Sequence, residues 1–273
     1  MKVIREICVA GAVIDVSVRP TQKQLSVRAP KSRPTREAVI KNNARIAEKR
    51  LTRIMNANFF PGDWHVTLTY AEVVSPAEAK RELDNFIRRM RREFKKQEKE
   101  MKFVVVTEYE NHRIHHHIVM SYIQGEIIAS QWKKGRVRYT GLDKSRNYKA
   151  LANYLIKETQ KTFRKADNMT KCRYRCSRNM TKPVVVQQEV RISQAWEEPK
   201  AFKGYTVDEE SIRRFENPCT HIPQLEYLMV SDDPVPRIKK WRNGTAVKKT
   251  ETYQRAEDIK QMEMQDYVAW HTV

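Results

Sequence analysis

Glycine is scarce in this chain, at 7 of 273 residues, and with only 11 prolines a collagen-like or linker-like polymer is excluded. No apolar run approaches the ~20 residues that a membrane-spanning helix needs. The N-terminal run MKVIREICVAGAVIDV carries Asp15 and lacks a clean apolar core, so no signal peptide is expected. Four cysteines (Cys8, Cys172, Cys176, Cys219) are too few to staple a secreted fold of this size, and a reducing cytoplasm is the expectation. No glycine-rich phosphate loop followed by lysine occurs, so ATP hydrolysis is not expected. An HExxH zinc-protease motif is missing too. Acidic side chains are in short supply: 33 Asp and Glu against 53 Lys and Arg leave a net charge of +20.

Hydrophobic residues make up 40% of the chain, enough for a packed core and too many for wholesale disorder. The length suits one large domain or two ordinary ones. The excess of positive charge calls for an anionic partner. Nucleic acid is the first choice, because neutralising phosphates releases counterions and drives binding. A membrane surface is the weaker choice, since no basic helix carries a clean, large apolar face. Charge supplies affinity and names no reaction.

The pattern along the chain is mixed. Residues 3–18 are rich in valine and isoleucine and break near Gly11, as a strand pair or a bent strand would. Residues 19–34 read as an exposed connection. A helix follows from Thr35 to Asn58, with Ala38, Ile46, Leu51 and Ile54 at helical spacing. WHVTLTY (64–70) is a strand with His65, Thr67 and Thr69 on one face. Ser75, Pro76 and Glu78 then form a capping box ahead of an apolar stripe, Ala79, Leu83, Phe86, Ile87, Met90 and Phe94. Arg88, Arg89, Arg91, Arg92, Lys95 and Lys96 of that helix read as a solvated basic face. KFVVVTEY (102–109) and RIHHHIVM (113–120) are two strands joined by a short turn. A short helix (126–132), a strand (135–140) and a helix over 146–162, buried through Tyr148, Leu151, Ala152 and Leu155, complete an α+β order with an antiparallel sheet. Further strand or helix signals lie at 184–196 and 206–230. These shifts suggest three segments: N-terminal strands and helix (1–57), a core (58–165) and a basic C-terminal region (166–273).

One cluster carries chemistry. His115 and His117 alternate across His116, so both imidazoles leave one face of a strand, and Glu108 sits on the strand before it. Two imidazoles and a carboxylate from adjacent strands make a divalent-metal site with open positions, and mixed nitrogen and oxygen ligation suits Mn²⁺ or Mg²⁺. The alternative is a solvated histidine-rich turn or a structural hydrogen-bond cluster. His112 more naturally faces solvent, and His116 points to the opposite face. A second stripe, Tyr154, Lys157 and Lys161, lies at i, i+3 and i+7 of a helix, away from its Leu151/Leu155 side. A tyrosine flanked by cations can attack phosphorus, and Lys157 can hold the phosphate or stabilise the leaving oxygen. The alternative is an amphipathic helix whose tyrosine packs at the core edge.

Together these motifs resemble the HUH endonucleases, and among them the replication-associated proteins of rolling-circle elements in Firmicute plasmids, phages and integrated elements. HVTLTY (65–70) looks like the first motif. RIHHHIVM looks like the paired-histidine motif, with His115 and His117 as the pair. NYLIKE (153–158) looks like the tyrosine motif, and Glu108 lies where viral relatives place an acidic third ligand. The likeness runs from about Thr35 to Lys161, more weakly at both ends, as in SRNMTKP (177–183). It implies a ferredoxin-like antiparallel sheet with helices on one face, here with a basic C-terminal extension. It implies strand-specific nicking of single-stranded or hairpin origin DNA, with Tyr154 joined to the 5′ phosphate and a free 3′ hydroxyl priming synthesis. A separate helicase would do the unwinding. His116 departs from the family, which has an apolar residue there. Tyr154 alone fills the tyrosine position, Tyr148 lying on another face.

Other readings are weaker. His65-Val66-Thr67 matches half of a two-histidine phosphoesterase signature, whose second copy is missing. Lys161, Arg164, Lys165, Arg173 and Arg175 are expected DNA contacts. Cys172, Cys176, Cys219 and His221 could hold a structural zinc, although their spacing is not a finger pattern. The expectation is therefore a metal-dependent tyrosine nickase of a mobile element in a bacterial cytoplasm. A relaxase or transposase using the same chemistry, or a passive basic DNA binder with a structural metal, are the alternatives.

Overall fold

The computed structural model describes residues 3–20, 36–110, 113–162, 172–216 and 223–232. In chain order the elements are β1 (Val3–Ala10), β2 (Val13–Pro20), α1 (Arg36–Asn58), β3 (Trp64–Thr69), α2 (Pro76–Lys96), β4 (Phe103–Glu110), β5 (Arg113–Met120), α3 (Gly125–Gln131), β6 (Val137–Gly141), α4 (Lys149–Thr162), β7 (Arg175–Cys176), β8 (Val184–Val190), a 3₁₀ turn (Ile192–Ala195), β9 (Tyr205–Glu216) and β10 (Pro223–Ser231). The chain divides into two compact units, residues 25–183 and residues 1–24 with 184–273. This division differs from the three consecutive segments suggested by composition. β1 and β2 do not group with α1; they pair with strands from the C-terminal third. β2 is buried along nearly its whole length, so it needs a neighbour on each edge, and β1 and β10 supply them.

In the unit of residues 25–183 the sheet order is β6-β3-β5-β4-β7, antiparallel throughout. Val66, Leu68, Phe103, Val105, Ile118 and Met120 pack with the apolar stripe of α2 and with α3. Val104, Val106 and Val119, of opposite parity, pack with α1 and α4. Helices therefore cover both faces, where one covered face was expected. The reason is local: Val104-Val105-Val106 and Ile118-Val119-Met120 are apolar on both parities, and each face needs cover. The α+β class and the antiparallel pairing agree with the sequence.

Several element boundaries have visible causes. Ser75 caps α2 by accepting a hydrogen bond from the Glu78 N–H at 3.2 Å, with Pro76 in the first turn. The buried stripe of α1 is Ala44, Leu51 and Met55, while Ile46, expected on it, is 38% exposed because it lies two residues round from Ala44. The end of α1 is tied down by buried polar groups. Asn56 Oδ1 accepts from the Tyr148 N–H at 2.9 Å, which fixes the entry to α4. Lys102, 2% exposed, donates to Asn58 Oδ1 at 2.6 Å and to Thr181 Oγ1 at 3.0 Å. The run 177–183 supports the start of β4, where Ser177 Oγ accepts from the Phe103 N–H.

The other unit is a five-stranded sheet, β8-β1-β2-β10-β9. Gly11, at φ 60°, turns the β1–β2 hairpin, which settles residues 3–18 as a strand pair. Ile7, Val16, Leu225 and Met229 form its core with Ala195 of the 3₁₀ turn. β9 bulges near Ser211, whose hydroxyl accepts from the Leu228 N–H.

Candidate active site

Strand parity and register bring the histidines together on the α1/α4 face. Thr67 pairs with His117 and Thr69 with His115 across β3 and β5, while Glu108 pairs with His115 across β4 and β5. His65, Thr67, Thr69, His115, His117 and Glu108 therefore share one face. His117 Nε2 lies 3.3 Å from Glu108 Oε2, and its Nδ1 lies 3.4 Å from Thr67 Oγ1. Burial, and then the neighbouring His65 and His115, lower the His117 pKa to about 4. Its contact with Glu108 thus joins a neutral imidazole to a carboxylate at neutral pH. One tautomer satisfies both contacts: Nε2–H donates to Glu108, and the Thr67 hydroxyl donates to Nδ1.

His65 stacks on His117, with ring centroids 5.6 Å apart and planes at 26°. Its Nε2 is buried without a hydrogen-bond partner, and burial followed by the charge of Arg138 lowers its pKa. The sequence places His65 only on a face; its contact with His117 depends on the β3–β5 register, which no local pattern encodes.

Tyr154 reaches this group from α4. Ala152, Leu155 and Ile156 bury the core side of that helix, leaving Tyr154 43% exposed. Its ring stands edge-on to His117 at 5.6 Å and 89°, and to His65 at 6.4 Å and 73°. Lys157, one turn on, is exposed. Tyr148, by contrast, is 3% exposed within the α1/α4 core, and burial raises the pKa of its phenol.

His116 takes the opposite face. It is fully buried, with Nε2 2.9 Å from Tyr70 Oη, Nδ1 2.9 Å from Thr107 Oγ1, and Trp132 edge-on to its ring. Tyr70 Oη donates to the Ala79 carbonyl, so His116 Nε2–H donates to Tyr70 and Thr107 donates to Nδ1. A neutral histidine with both nitrogens satisfied thus fills a position that would otherwise take an apolar residue.

The remaining expected site residues fall elsewhere. Arg175, opposite Val105 on β7, is on the α2 face and pairs with Asp84 at 2.6 Å. Arg173 is half-buried. Cys172 is exposed, and Cys176 packs at the edge of the α1/α4 core, where burial pushes its thiol up to about 11. The Lys161 side chain and His112, Arg164, Lys165, Cys219 and His221 lie outside what is described.

No three His, Cys, Asp or Glu side chains among the described residues converge closely enough to hold a metal ion as they stand. The donor chemistry nevertheless fits a divalent cation. Glu108 and His117 touch, both are nearly buried, and the imidazole is neutral, so its lone pair does not have to be freed of a proton.

Residues 63–163 match a family model of replication-associated proteins, those of the ORF2 type. The match spans β3 to the end of α4 and so contains all of this face's elements except α1. It relates that part of the chain to Rep-type replication proteins. No curated protein and no solved structure matches the chain.

Proposed function

We propose that the protein is a replication initiator that nicks one strand of origin DNA and retains it as a phosphotyrosine. The observation that carries this reading is the exposed Tyr154 phenol standing edge-on over His117, whose Nε2 meets Glu108. Tyr154 Oη loses its proton and attacks the phosphorus in line. The new bond joins the phenolic oxygen to the 5′ phosphate. The bond to the 3′ oxygen breaks, and that oxygen takes up a proton to become a primer hydroxyl. Glu108, His115 and His117 would hold Mn²⁺ or Mg²⁺, which when bound would polarise the phosphodiester and offset charge on its non-bridging oxygens. Lys157 holds the phosphate from the exposed side of α4. Thr67 sets the His117 ring, since ligation through Nε2 turns Nδ1–H toward the threonine oxygen.

The test is adduct formation. The protein is incubated with Mn²⁺ and labelled single-stranded oligonucleotides tiled across the element that carries its gene, then denatured and resolved by gel. A labelled band at the size of protein plus DNA is expected for the wild type. Tyr154→Phe is expected to lose the band while keeping DNA affinity, and His117→Ala to lose it through metal loss. No band with any oligonucleotide, beside intact DNA binding, would leave a passive binder.

A further inference from the structure

β6 is the edge strand next to β3, and its register places arginines beside the histidine face. Thr67 pairs with Arg138, and the Thr69 N–H donates to the Arg136 carbonyl at 3.0 Å. Arg136 and Arg138 are two residues apart on one strand, so both side chains share the face of His65, Thr67 and Thr69. The intervening Val137 packs into the opposite, α2-side core, and Tyr139 stands edge-on to Trp64 on that same side. Both arginines are exposed, and neither guanidinium meets a carboxylate among the described residues. Other arginines of this chain are neutralised: Arg175 by Asp84, and Arg214 by Glu198 and three backbone carbonyls.

From this arrangement we infer that Arg136 and Arg138 form a phosphate-binding strip that guides a single DNA strand along β6 to Tyr154. The inference rests on the nickase reading for what lies at the end of the strip. A guanidinium pairs with a phosphate through two parallel hydrogen bonds, and two of them roughly 7 Å apart on one strand can meet neighbouring phosphates of an extended backbone. The strip begins at the stacked pair His65/His117 and runs outward along the sheet edge, where no neighbouring strand blocks the approach. Charged residues on an edge strand also discourage strand addition, and that role predicts no dependence on DNA.

The experiment measures binding of a fluorescein-labelled oligothymidylate by anisotropy in EDTA, over a range of salt concentrations, with full-length protein. Neither metal nor cleavage enters, so the strip and the nickase chemistry fail separately. For Arg136→Gln/Arg138→Gln, affinity is expected to fall about tenfold, and the slope of log K against log salt to shrink by about 1.4, or 0.7 for each single-strand phosphate contact. Arg136→Lys/Arg138→Lys should keep the slope. Arg88→Gln/Arg92→Gln, an equal charge change on the exposed side of α2, should leave both quantities unchanged. Unfolding temperatures confirm that each variant is folded. Equal losses in the α2 control, or an unchanged slope in the β6 variant, would overturn the inference.

Discussion

Acidification from pH 7 to pH 5 should destabilise the unit of residues 25–183 by about 2 kcal/mol through His116 alone. The imidazole is fully buried and both nitrogens are engaged by Tyr70 and Thr107, and burial lowers its pKa from 6.5 to about 3. A depressed histidine pKa means that the folded chain binds fewer protons than the unfolded one. Stability is therefore complete above the unfolded pKa and is lost as pH falls from about 6.5 toward 3. At pH 5 the unfolded imidazole is about 1.5 units below its pKa while the folded one is still neutral, and at 1.36 kcal/mol per unit the loss is about 2 kcal/mol. His117, lowered to about 4, adds a similar amount. The assay is urea unfolding in EDTA, followed by tryptophan fluorescence, with Trp132 against His116 as a local reporter. Wild type should lose about 4 kcal/mol between pH 7 and pH 5 from this pair, and His116→Leu about half as much. The Tyr70 hydroxyl keeps its Ala79 acceptor in that variant, which limits the cost at pH 7. Equal pH sensitivity in His116→Leu and wild type would refute the reasoning.

Asn58→Ala removes the 2.6 Å acceptor of the buried Lys102 ammonium and should cost about 3 kcal/mol by urea unfolding; adding Lys102→Met should recover much of it. Gly135→Ala places a Cβ against the Thr69 backbone oxygen, which cannot swing aside as a side chain can. It should cost about 2 kcal/mol and weaken oligothymidylate binding, because β6 can no longer seat against β3. Thr67→Val deletes the hydroxyl at His117 Nδ1 and should weaken Mn²⁺ binding about tenfold by electron paramagnetic resonance titration, with little change in unfolding temperature.

What could be read from the sequence was what a single element encodes. The alternation of His115 and His117, the buried parity of His116, the Ser75 cap and the α2 stripe all follow from periods of two and 3.6 residues. What depends on pairing between distant strands could not be read. His65 stacks on His117, and Arg136 and Arg138 join the same face, only because β3 lies between β5 and β6. The N-terminal hairpin finds its partners more than 160 residues away, at Val184–Val190 and Pro223–Ser231. The run VVVQQEV carries no sign of which sheet it will edge. Cover on both faces of the β5 sheet was implicit in Val104-Val105-Val106, whose two parities each need apolar neighbours. The likeness to a family with helices on one face pointed the other way.

The most direct test of the central claim is the identity of the tyrosine joined to DNA. The adduct formed with Mn²⁺ would be digested with nuclease and trypsin, and the nucleotide-bearing peptide sequenced by mass spectrometry. Cleavage after Lys149 and Lys157 releases ALANYLIK, whose one tyrosine is Tyr154, while Tyr148 leaves separately in NYK. A nucleotide on ALANYLIK is the expected result. A nucleotide on NYK, or on any other peptide, would contradict the assignment of the exposed phenol above His117 as the nucleophile.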